Sequence, residues 1–129
     1  MTIETEVRAR LVADATVSGL IGTRAYALVL PQGVTYPALT YSKISGVRLH
    51  NLDGAAGRAF PRISISMWSG SYVECQSLAA AVRHSLDGFN GTLATIKCTI
   101  LIDNEIDDYD GTVEKYRILQ DYRVSHRET

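Results

Sequence analysis

The stretch Phe60 to Phe89, FPRISISMWSGSYVECQSLAAAVRHSLDGF, changes its hydrophobic period half-way along, and that change decides the fold class. Ile63, Ile65 and Met67 alternate with Arg62, Ser64 and Ser66, the two-residue period of a strand with one buried face. After Ser69-Gly70-Ser71 the apolar positions are Cys75, Leu78, Ala79, Val82 and Leu86, three- and four-residue steps that line one stripe of a helix. Ser71 and Glu74 have the spacing of a capping box, and Gly88 stands where a helix end needs a left-handed residue. A strand feeding directly into a helix makes one side of a sheet-and-helix core. The other segments read as its partners.

Upstream, Gly46 to Arg58, GVRLHNLDGAAGR, holds three glycines and no sustained period. It predicts a long flexible connection, or a hairpin with an irregular tip, of the kind that often carries function. Before it, Tyr36-Pro37 opens a strand through Ile44, and Arg24 to Leu30 reads as a short strand stopped by Pro31-Gln32-Gly33. Thr2 can cap a first helix to about Ala15, with Ile3, Val7 and Leu11 on one face and Glu4–Arg8 and Glu6–Arg10 as supporting pairs. Ser18-Gly19 and Gly22 break that pattern.

Downstream, Phe89-Asn90-Gly91 reads as a short turn. Thr92 to Asp103 alternates again, with Ile96, Cys98, Ile100 and Ile102 on one face. Asp103 to Gly111, DNEIDDYDG, is acidic and ends in Asp110-Gly111, a hairpin signal. The last strand, Val113 to Ser125, turns Tyr116, Ile118, Tyr122 and Val124 inward and Lys115, Arg117, Asp121 and Arg123 outward. This order predicts a soluble α+β fold, one domain over residues 1–129, with a mostly antiparallel sheet covered by helices mainly on one face.

Composition narrows the function. At 129 residues the chain can bury roughly two-thirds of the surface it exposes when unfolded. A formal net charge of -1 argues against affinity built on phosphate neutralisation, so no sequence-specific nucleic-acid partner is expected. No apolar run is long enough to span a bilayer, and the N-terminus mixes charges into a helical pattern unlike a signal peptide. A cytosolic product is expected, with Cys75 and Cys98 as buried free thiols rather than a disulfide.

No catalytic constellation emerges. The acidic residues Asp103, Glu105, Asp107, Asp108 and Asp110 could in principle bind a cation, but a calcium loop starting at Asp103 needs glycine at its sixth position, where Asp108 stands. A solvated hairpin tip is the better reading, and a small metal-binding enzyme using residues 103–110 is the weakest alternative. His50, His84 and His126 share no ligand spacing, and no GxSxG, HExxH, CxxC or phosphate-loop pattern occurs. No enzyme, cofactor or metal is predicted. The candidate partner-binding residues are Arg48, Leu49, His50, Leu52 and Arg58 in the Gly-rich segment, and Trp68. By parity Trp68 leaves the core face and can anchor an interface or cap the end of the strand.

The ordered set of segments has a further meaning. A helix ending near Gly22 precedes Arg24-Ala25-Tyr26, Leu30-Pro31-Gln32-Gly33 and Tyr36-Pro37-Ala38-Leu39-Thr40-Tyr41. A Gly-rich segment, Arg62-Ile63-Ser64-Ile65, Leu78-Ala79-Ala80-Ala81-Val82-Arg83, a terminal hairpin and Asp121-Tyr122-Arg123-Val124 follow. Over essentially its whole length the chain resembles the tail-completion, or tail-to-head joining, proteins of long-tailed bacteriophages and prophages, which are related in fold to tail terminators. The resemblance implies a non-enzymatic α+β subunit in the virion. It implies a homo-oligomeric ring, typically a hexamer, at the head-proximal end of the tail tube. The partners it implies are the tube protein and a head-completion or neck protein. A head-completion or neck component is the nearest alternative.

Overall fold

The computed structural model describes residues 2–51 and 54–127, with side chains over 2–44 and 60–126. In chain order the elements are α1 (Ile3–Ala13), α2 (Ala15–Ile21), β1 (Ala25–Ala27), β2 (Ala38–Asn51), β3 (Gly54–Ser69), α3 (Tyr72–Leu86), β4 (Phe89–Leu93), β5 (Ile96–Asp110) and β6 (Lys115–Arg127). The strands form one six-stranded sheet in the order β1-β2-β3-β6-β5-β4. β1 lies parallel to β2, and the other neighbours are antiparallel. The predicted α+β fold is therefore the observed one.

The helices cover one face of this sheet, and register shows why. Leu39, Met67 and Ile118 stand side by side across β2, β3 and β6, as do Tyr41, Ile65 and Gln120 one pleat further on. All of these are buried; β3 and β6 pack against α3, whose own buried stripe is Cys75, Leu78, Ala79, Ala81, Val82, Ser85 and Leu86, and β2 packs against α1. Ile3, Val7 and Leu11 of α1 add a second buried stripe. Each fully buried Ile or Leu stabilises the fold by about 1.5–3 kcal/mol through removal from water.

The caps act much as the spacing predicts. Thr2 caps α1 in a reciprocal box with Thr5. Ser71 Oγ accepts the Glu74 N–H, while the Glu74 carboxylate accepts from Ser69 Oγ at 2.6 Å instead of closing the box on Ser71. The first helix stops earlier than expected, because Asp14 accepts the N–H groups of Thr16 and Val17 and starts α2, which runs on through Ser18 and Gly19. Arg8 and Arg10 do not pair with the glutamates one turn away. Arg8 Nε donates to the Ala25 carbonyl and Arg10 Nε to the Ser85 carbonyl, both at 2.9 Å, tying α1 to β1 and α3. Glu4 reaches Lys43 of β2 instead.

Of the two readings of the Gly-rich segment, the irregular hairpin is the one observed: residues 46–51 of β2 pair antiparallel with residues 54–61 of β3, with register shifts at Lys43/Ser45 and Arg48/His50. Two other expectations are corrected. Residues 89–91 are strand β4 rather than a turn, since they pair with Cys98, Thr99 and Ile100. The acidic run is not a hairpin tip either. Residues 103–110 continue β5 along β6, and the turn proper begins at Gly111, where Asp110 Oδ1 accepts the Thr112 N–H. In each case a partner strand satisfies the backbone of a segment whose own side chains carry little periodic signal.

Candidate interaction surfaces

The two faces of β5 show what its carboxylates do. A one-residue bulge between Ile102 and Asn104 shifts the alternation, so that beyond it odd-numbered side chains turn to the helix face and even-numbered ones away. Glu105 meets Arg83 of α3 at 2.9 Å, and Tyr72 at the start of α3 donates its hydroxyl to Asp107. That hydrogen bond to a carboxylate pushes the Tyr72 pKa up. On the other face Asp108 takes Arg117 from directly across the ladder, Nε to Oδ1 at 2.9 Å, and raises the guanidinium pKa further. Asp103, the bulged residue, bridges Arg62 and Arg123. The carboxylates thus diverge onto two faces, each with its own partner. Among the described residues no group of His, Cys, Asp or Glu is arranged to hold a metal ion.

Beneath Glu105 lies a buried polar knot. Gln120, fully buried on β6, donates to the Ala79 carbonyl of α3 at 3.0 Å and to Glu105 Oε2 at 2.6 Å, and accepts the Tyr122 hydroxyl at 2.6 Å. Burial drives the Tyr122 hydroxyl pKa far up, so it remains a donor. Inward alternation alone places Gln120 in this row, but the sequence reading passed over it as a polar residue.

The candidate residues fall in two places. Arg48 and His50 lie on the distal part of β2, opposite Ala59 and Ala55, with Leu49 at the register shift between them; Arg58 on β3 faces Arg127. Their side chains, and Leu52 entirely, lie outside the described residues. Trp68 stands between Ala38 and Arg117 on the face away from the helices, half-buried, as parity predicts. The structure brings it nowhere near the distal hairpin, since it sits at the other end of β3. What the sequence reading missed is an aromatic cluster at that same end of the sheet. The Tyr116 ring lies 5.6 Å from Tyr72 and 5.1 Å from Tyr109, and all three are exposed along with Val73 and Val113. Tyr116 does turn inward, but at the last rung there is no further helix to cover it.

A shallow cleft of about 330 Å³ between α1, α3 and β4 is lined by Glu6, Arg10, Asp14, Ser85 and Leu93. No helix among the described residues is long and apolar enough to cross a membrane. Cys75 and Cys98 are free and buried. The molecule thus offers edges, a distal hairpin and an aromatic end.

The model of the family described as tail completion protein gp17 matches residues 5–127. The chain belongs to that family. Among solved structures it is similar to a chain of the "Virion of native gene transfer agent (GTA) particle", with 20% identity, a TM-score of 0.81, and 97% of this chain and 94% of that one covered. At that identity the likeness establishes the shared fold. No curated protein matches. As a tail completion protein, the chain is a structural component of the phage tail in the virion and not an enzyme.

Proposed function

We propose that this tail completion protein is a tail terminator. Copies of it close into a ring, typically a hexamer, at the head-proximal end of the tail tube. The ring stops tube growth and presents the surface to which a head-completion or neck protein docks. The family match over residues 5–127 carries this reading. The fold supports it, because a closed ring is built from head-to-tail contacts between two different patches on each subunit. The two sheet edges here are unlike, a three-residue β1 on one side and a five-residue β4 on the other.

The distal hairpin is the contact to the tube protein or a neighbouring copy. Past the last rung with β6, at Arg58↔Arg127, the β2–β3 hairpin has no neighbour but itself among the described residues. It extends about four residues per strand, on the order of 13 Å. Arg48, Leu49, His50, Leu52 and Arg58 are the side chains assigned to that contact. Trp68, at the opposite end of the sheet, anchors a second one.

Removing the gene tests termination directly. Tubes of abnormal length that never join heads are expected. Tubes of normal length that merely fail to attach would move the protein to the neck and overturn the terminator reading. Deleting residues 49–57 should leave a folded subunit that no longer joins tubes; infectious particles at normal titre would remove the hairpin from the proposal.

A further inference from the structure

Two stretches of sheet edge have no strand neighbour among the described residues. β4 pairs with β5 only over residues 96–100, which leaves 103–110 with an open side. β1 pairs with β2 only over residues 39–41, which leaves 42–51 open. The open halves lie on opposite edges of the sheet and at opposite ends of it. They are eight and ten residues long, each enough for a strand of ordinary length.

Resting on the ring reading, we propose that residues 103–110 of β5 accept the open half of β2 from a second copy of this chain as an added antiparallel strand. Three features match the two segments. Through β3 and β6 the sheet makes β2 and β5 run in opposite directions, so a head-to-tail neighbour presents β2 antiparallel to β5 without being inverted. The charges are opposite: residues 103–110 hold five carboxylates and no base, of which Asp107 and Asp110 meet no cation of their own chain among the described residues, and residues 42–51 hold Lys43, Arg48 and His50 and no carboxylate. The apolar ends match as well. Leu28 and Val29, each 72% exposed, follow β1 beside Tyr41, and this docking carries them towards exposed Tyr109 and Val113 of the next copy.

Ile106 stands level with Thr40 across the sheet, so the neighbour slides by about seven residues, roughly 24 Å, along the strands. Strands in the ring are therefore tilted to its axis, as stagger and tilt are linked in closed barrels. The bulge at 102–104 and the register shifts in β2 serve here as guards against pairing in other registers.

The open edge has identifiable donors. Ile102 N–H points to it and is taken by Asp87 Oδ1 at 2.9 Å. Alternation across the bulge puts the N–H groups of Glu105, Asp107 and Tyr109 on the same side. Hydrogen exchange followed with and without assembly on wild-type protein reads them. Expected is at least tenfold slower exchange of these three amides, and of residues 44–51, in rings. Rings in which either segment exchanges at its unassembled rate overturn the inference while leaving the ring intact. Wild-type protein that forms no ring on tubes defeats the ring reading and this inference with it.

Asp107→Pro gives a second readout. It deletes one edge donor without touching the β6 ladder, where an edge proline is tolerated. Asp107→Ala removes the same Tyr72 contact and keeps the donor. Proline should weaken assembly tenfold or more and alanine less than threefold; equal effects would refute edge pairing.

Discussion

Replacing Gln120 by leucine tests whether the buried knot, rather than apolar packing alone, ties α3 to the sheet. The substitution keeps the volume nearly unchanged and removes three hydrogen bonds, to Ala79, Glu105 and Tyr122. Their consequences differ. The Ala79 carbonyl has a second lone pair and lies within α3, and Glu105 retains Arg83. The Tyr122 hydroxyl has no such reserve, because the residue is 1% exposed and Gln120 is its acceptor. Stranding that hydroxyl costs about 1–3 kcal/mol, and the lost bond to the Glu105 carboxylate costs on the order of 1.5 kcal/mol. Burying leucine in place of an amide returns about 1–2 kcal/mol. The net expectation is a loss of about 2 kcal/mol. By urea denaturation this lowers the midpoint by roughly 1 M, for an m-value of about 2 kcal/mol/M.

The sharper result is in the double variant. Tyr122→Phe alone strands Gln120 Oε1 and costs about 1–2 kcal/mol. In the Gln120→Leu background the same change removes the orphaned hydroxyl, so the double variant should be no less stable than Gln120→Leu by itself. Strict additivity of the two single losses, or a Gln120→Leu variant within 0.5 kcal/mol of wild type, would refute the assignment of the knot as a coupled unit.

Asp14→Ala should cost about 1 kcal/mol in denaturant unfolding, because Oδ1 caps both Thr16 and Val17, and Asp14→Ser should recover most of it. Arg117→Ala should cost less than about 1 kcal/mol despite its short contacts with Asp108, because that pair is open to solvent. Alkaline stability reports Cys75. Burial pushes its thiol from an ordinary 9.0 up to about 11, so well below pH 9 both states stay protonated and stability is unaffected. Between pH 9 and 11 only the unfolded chain ionises, and stability falls by as much as about 2–3 kcal/mol. Unfolding of Cys75→Ala across the same range should show a shallower decline, by that amount; an identical pH profile would count against burial of the thiol.

How much of this was legible in the chain follows from what periodicity encodes. The strand-to-helix switch at Ser69-Gly70-Ser71 and the inward rows Ile63, Ile65, Met67 and Ile118, Tyr122, Val124 could be read directly, and the structure places them as read. Period specifies which face is buried, and caps and glycines specify where an element starts or stops. The expectation of a non-enzymatic protein rests on the lack of any motif with fixed residue types at fixed spacings, and the family match agrees with it. None of this says which strand lies beside which. That residues 46–51, 54–58 and 103–110 are strand, that Arg8 and Arg10 bind carbonyls of β1 and α3, and that Gln120 holds Glu105 to α3 depend on contacts with partners these segments do not themselves encode. Only the tertiary structure could leave the halves of β2 and β5 open, because that follows from the shortness of β1 and β4 rather than from any property of the open segments. A strand's own residues prepare it to pair, but the length of its neighbour determines where pairing stops.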